Sequence, residues 1–108
     1  MSLDIELISL DGDIYHHLNI SHNLSSMAAQ IPGLYELVWY AEINNKKVKN
    51  CDKMVAPLRH KIEKLKKTDL SAFEAENKWG TQKQFIEFLE KYLKYCENNP
   101  SATIAFNR

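Results

Sequence analysis

The sequence predicts one α+β domain over 1–108, in which a small antiparallel sheet, an N-terminal β-hairpin plus a C-terminal strand, packs against three to four helices. Three observations lead there. Leu3, Ile5 and Leu7 alternate with Asp4 and Glu6 ahead of an Asp11-Gly12 turn signal. Phe85, Phe88, Leu89, Tyr92, Leu93 and Cys96 recur at three- and four-residue steps, the stripe of an amphipathic helix. Ala102 to Phe106 alternates again, with Ile104 and Phe106 on one face, and such a strand is useful only beside the opening hairpin.

The elements follow in chain order. After Asp11-Gly12, whose residues tolerate the positive φ of a type I′ turn, the return strand is Ile14 to Ile20. Ile14, His16, Leu18 and Ile20 share one face of it, and Tyr15, His17 and Asn19 the other. From Ser21 the period changes, and Leu24, Met27, Ala28 and Ile31 fit a short helix that Pro32-Gly33 ends. Leu34 to Ile43 reads as a second short helix opening into the polar connection Asn44 to Asn50. Met54, Leu58, Ile62 and Leu65 mark a third helix, which Pro57 either begins or kinks. Asp69 or Ser71 is placed to cap a short helix over Leu70 to Ala75. The main helix has its start written in, since Thr81 and Gln84 make a capping box, and it stops near Asn98-Asn99-Pro100.

Composition bounds the function. A chain of 108 residues with 44% apolar content buries roughly two thirds of its unfolded surface, enough for a core. Formal net charge is zero, so any preference for nucleic acid or an acidic partner must be local. Charge is segregated, however. Up to Asn45 every charged side chain is acidic, whereas Lys46 to Lys67 is strongly basic. Cys51 and Cys96 show no paired spacing, so neither a disulfide framework nor a zinc knuckle is indicated and reduced thiols are expected. No leader pattern and no apolar run of ~18 residues occur, and a cytoplasmic protein without a membrane segment is the expectation.

Several short motifs are laid out in a recognisable order: Asn19-Ile20-Ser21-His22-Asn23, Gly33 to Trp39, Pro57 to Leu65, Asn77-Lys78-Trp79-Gly80-Thr81, and Tyr92 to Pro100. In this the chain resembles a family of small bacterial and bacteriophage-type proteins with N-I-[ST]-H-N and N-x-W-G-T motifs. Lys78 stands where that pattern carries Gly. The resemblance covers most of the chain and implies the fold and a phage or mobile-element origin, with no particular activity.

Asn19, Ser21, His22 and Asn23 form the first candidate site. Polar groups where a strand gives way to a helix can orient a partner or a small anionic ligand, and Ser21 or Asn23 is equally suited simply to cap that helix. Trp39 and Trp79 are added as aromatic contacts, against the ordinary alternative of core packing. A pocket between His22 and Trp79, with His22 as acid or base, is the enzyme or ligand-binder alternative. Arg59, Lys61, Lys64 and Lys67 make a basic helix face, either merely solvated or able to dock nucleic acid. Ser21 or Ser25 with His22 and Asp13 lacks a nucleophile elbow, and Cys96 falls on a buried stripe. His16, His17, His22, Asp11 and Asp13 reproduce no metal-ligand spacing. The expectation is a non-catalytic cytosolic binding or interaction protein, with no cofactor or metal indicated.

Overall fold

The computed structural model describes residues 2–21, 24–40, 50–70 and 81–107. Strands β1 (Ser2–Ile8), β2 (Ile14–Ser21) and β3 (Thr103–Asn107) form an antiparallel sheet in the order β2-β1-β3. The C-terminal strand therefore lies beside the N-terminal hairpin, with Ile5 opposite Phe106 and Leu7 opposite Ile104. Helices α1 (Ser25–Ala28), α2 (Leu34–Trp39), α3 (Cys51–Lys66) and α4 (Gln82–Asn98) complete the described elements.

Alternation decides which face of the sheet is covered. Leu3, Ile5, Leu7, Leu18, Ile20 and Ile104 point inward and are buried, whereas Asp4, Glu6, His17, Asn19 and Asn107 stand on the other, solvated side. The inner face meets Phe85, Leu89, Tyr92 and Cys96 of α4 and Met54, Leu58, Ile62 and Leu65 of α3 in one core cluster. Phe88 and Leu93, expected on the same stripe, flank it and are partly buried.

The capping box of α4 forms as its residue types require. The Gln84 N–H donates to Thr81 Oγ1 at 3.1 Å, and the Thr81 N–H donates to Gln84 Oε1 at 3.1 Å. Gln82 then ties α4 to the end of α3, donating to the Leu65 carbonyl at 3.1 Å and accepting from the Leu70 N–H at 3.0 Å. Arg59–Glu97 and Lys66–Glu90 pair at 3.5 and 3.2 Å along the same seam, so the two helices run antiparallel. The helix containing Pro57 begins at Cys51, which puts the proline well inside it.

The hairpin differs from the two-residue turn read from Asp11-Gly12. The Ser9 N–H donates to the Asp13 carbonyl at 2.8 Å and the Gly12 N–H to the Ser9 carbonyl at 3.0 Å, enclosing a three-residue loop. Gly12 takes the left-handed position such a loop needs, at φ 93°. Ser9 also accepts the Asp13 N–H through its hydroxyl at 3.0 Å, a local bond that holds the wider loop. Just beyond, Leu7 pairs with His16 but Ile8 with Ile14, so Tyr15 is an extra residue, a β-bulge. The bulge breaks the alternation expected for Ile14 to Ile20 and turns Ile14 out to solvent. The short helix expected over Leu70 to Ala75 and most of the connection Asn44 to Asn50 lie outside the described residues.

Candidate functional site

The surface that stands out is the hairpin end of the sheet. Leu10 is 84% exposed, Ile14 59% and Tyr15 55%, and they are the exposed large apolar side chains among the described residues. All three follow from the local geometry: Leu10 sits in the loop, the bulge displaces Ile14 from inward register, and Tyr15 is the unpaired bulge residue. Leu10 and Tyr15 line a cleft of about 370 Å³ together with Ser9, Asp11 and the segment Asn98 to Ala102.

Its opposite wall is the end of α4 and the turn into β3. Asn99 caps that end, its backbone and side-chain N–H groups donating to the Tyr95 carbonyl at 3.1 and 2.9 Å. A helix C-terminus carries partial negative charge, and Asp11 adds a carboxylate, with no Lys or Arg among the described lining residues. The cleft can accept an apolar side chain on Leu10 and Tyr15 while favouring a cation or N–H donor beside it. Its volume is at the low end of ligand sites, room for one or two side chains of a partner.

The described residues singled out from the sequence lie elsewhere. Asn19 lies on the solvated face of β2, its amide donating to Asp4 Oδ1 at 2.7 Å. His17 Nε2 is 3.1 Å from the same oxygen. The Asn19 hydrogen bond holds the Asp4 carboxyl below its ordinary value, partial desolvation opposes, and the His17 hydrogen bond and charge assist. Ser21 ends β2, while His22, Asn23 and Trp79 lie outside the described residues. His16 and His17 take opposite faces, as the alternation requires, and His16 stacks on Tyr95 at 3.8 Å between ring centroids.

Trp39 is fully buried, with ring centroids 5.3 Å from Tyr35 and 6.3 Å from Phe85. In this state it packs the core. On α3, the Lys61 ammonium donates to the Pro32 carbonyl and packs under Gly33, and Arg59 turns to Glu97. Lys64 and Lys67 are exposed. Half of the four-residue basic face is therefore engaged within the chain.

Sequence reasoning missed the cleft because its walls, 9–15 and 98–102, meet only through the register that sets Thr103 opposite Ile8 and through the α4 end that precedes it. One signal was present: Leu10, apolar in a turn and out of phase with β1. No helix among the described residues is long and apolar enough to cross a membrane. Comparison with family models, with curated proteins and with solved structures found no match to this chain.

Proposed function

We propose that the chain is a non-catalytic binding module, acting in the cytosol, that engages a protein partner through the hairpin end. The occupant is a partner segment with an apolar side chain next to Lys or Arg. One observation carries this: the exposed large apolar side chains among the described residues gather at one corner, and two of them rim a cleft to which Asp11 adds a carboxylate. The bulk apolar group supplies contact area, and the carboxylate with the α4 end supplies charge complementarity. A phage or mobile-element origin, as the family resemblance implies, fits a small adaptor of this kind.

The corner at Asn19 to Asn23 is a weaker support for the same function. Its described part, Asn19 to Ser21, is at the other end of β2, with Asn19 about 17 Å from Ile14 at the usual rise per residue, and the Asn19 amide is committed to Asp4. Nucleic-acid docking on α3 draws less support still, since Arg59 and Lys61 turn to Glu97 and the Pro32 carbonyl.

Selection of a random displayed-peptide library on the immobilised chain tests the proposal. Enriched peptides should carry an apolar residue beside Lys or Arg. Their binding should fall at least tenfold with Leu10→Asp, Tyr15→Ala or Asp11→Lys, since buried apolar anchors typically contribute more than about 1.4 kcal/mol. It should survive Lys64→Glu with Lys67→Glu. No enrichment, or peptides indifferent to the hairpin-end substitutions, would sink it.

A further inference from the structure

Cys51 and Cys96 are the two cysteines of the chain, and both are free and fully buried. Cys51 is the first residue of α3 and Cys96 lies in the last turn of α4, so antiparallel docking brings these helix ends together. The backbone fixes their approach. The Cys51 N–H donates to the Ala102 carbonyl at 3.0 Å, the Asp52 N–H to the Pro100 carbonyl at 3.2 Å, and the Ala102 N–H to the Asn99 carbonyl at 3.0 Å. Asn50 is bridged to Thr103 as well. The start of α3 is thus pinned to the turn leaving α4, and both thiols sit in one buried core cluster. Burial alone does not require two facing thiols, since any small apolar pair would fill the space.

We propose that Cys51 and Cys96 are a redox modification site that closes to an intrachain disulfide in the presence of a low-molecular-weight disulfide oxidant such as oxidised glutathione. Cys51 is the attacking group. The hydrogen bond from Cys96 lowers its pKa against burial and the nearby Asp52 charge, and the N-terminal end of α3 favours a thiolate there. Cys96, as the donor, is pushed up and attacks second. Cys51 gives its proton to solvent, its thiolate attacks one sulfur of the oxidant, and the oxidant's S–S bond breaks. One glutathione leaves as thiolate and takes up a proton. Cys96 then loses its proton and attacks the Cys51 sulfur, displacing the second glutathione, so that two protein thiols are oxidised and one oxidant disulfide becomes two thiols. Because both sulfurs are buried, the first step passes through local opening of the helix-end turn. Entry is slow, but the equilibrium does not depend on it.

The test is an equilibrium one on the full chain. The protein is equilibrated in buffers of graded reduced and oxidised glutathione, folded and in urea, then acid-quenched, digested and read by mass spectrometry. Thiols already apposed by the fold should show an effective concentration roughly tenfold or more above that in urea, because whatever favours the native state favours its cross-link reciprocally. The product should be a monomer with a Cys51–Cys96 linked peptide and a Tm higher by roughly 15–20 °C, as expected for closing a loop of about 45 residues. Cys96→Ser should instead trap Cys51 as a mixed disulfide with glutathione. If that variant does not fold, the comparison of folded with unfolded wild type decides alone. An effective concentration no higher than in urea, cross-links between chains, or accumulation of mixed disulfides in the folded wild type would overturn the assignment.

Discussion

Asp4 is held by two neighbours of unequal weight, and the difference is measurable. The Asn19 amide is the larger influence and His17 the smaller. A carboxyl lowered on folding stabilises the protein above its unfolded pKa, and that contribution is lost as pH falls through the folded value, so this site weakens only in the acid range. An NMR titration of the Asp4 carboxyl should therefore shift its midpoint upward more in Asn19→Ala than in His17→Ala; the reverse order would show that charge, not the amide bond, dominates. Trp39 is the other residue whose role is set by where its ring lies. Being fully buried against Phe85, it should cost about 3–5 kcal/mol when replaced by alanine, read as a lower denaturant midpoint. A change near zero would mean that the ring is dispensable to the core. Its burial was one of the two readings open from sequence, because Leu34, Leu37, Val38 and Ala41 describe a helical stripe without saying which side Trp39 joins.

Among the elements, those with local signals were legible and those set by one odd residue were not. The start of α4 is written in Thr81 and Gln84, and both reciprocal bonds form. Thr81→Ala should remove about 1 kcal/mol of stability, whereas Thr81→Ser should retain most of it; equal loss in both would assign the effect to the methyl group. The interior position of Pro57 is less expected, since it leaves the Lys53 carbonyl without its helical donor. Pro57→Ala should raise stability by about 1–2 kcal/mol, less than the full helical penalty because alanine also frees the unfolded chain. A loss of stability would show that the ring's packing outweighs the missing bond. In β2, alternation located the strand and its inward Leu18 and Ile20, but a bulge adds one residue without altering composition. Ile14 thereby reaches solvent, and no period count along the strand could have said so, whereas the same count already set Tyr15 on the outer face.

At the scale of the molecule, the order β2-β1-β3 follows from chemistry visible at both chain ends, where short alternating runs need a common sheet. What packing joins is harder to read. The meeting of the α3 start with the turn that leaves α4 depends on the two helices running antiparallel, and the cleft depends on the α4 end reaching the hairpin loop. The early polar corner is marked by polar residues clustered in sequence, while the hairpin end is assembled through the fold. Its use as a docking surface is the claim on which the functional account stands. Amide chemical-shift mapping of the labelled chain against a selected peptide with an apolar residue beside Lys or Arg tests it most directly. The account predicts saturable shifts centred on Leu10, Asp11, Tyr15 and Asn98 to Ala102. Shifts centred on Asn19 to Asn23 or on the Lys64 and Lys67 face, with the hairpin end unmoved, would contradict it.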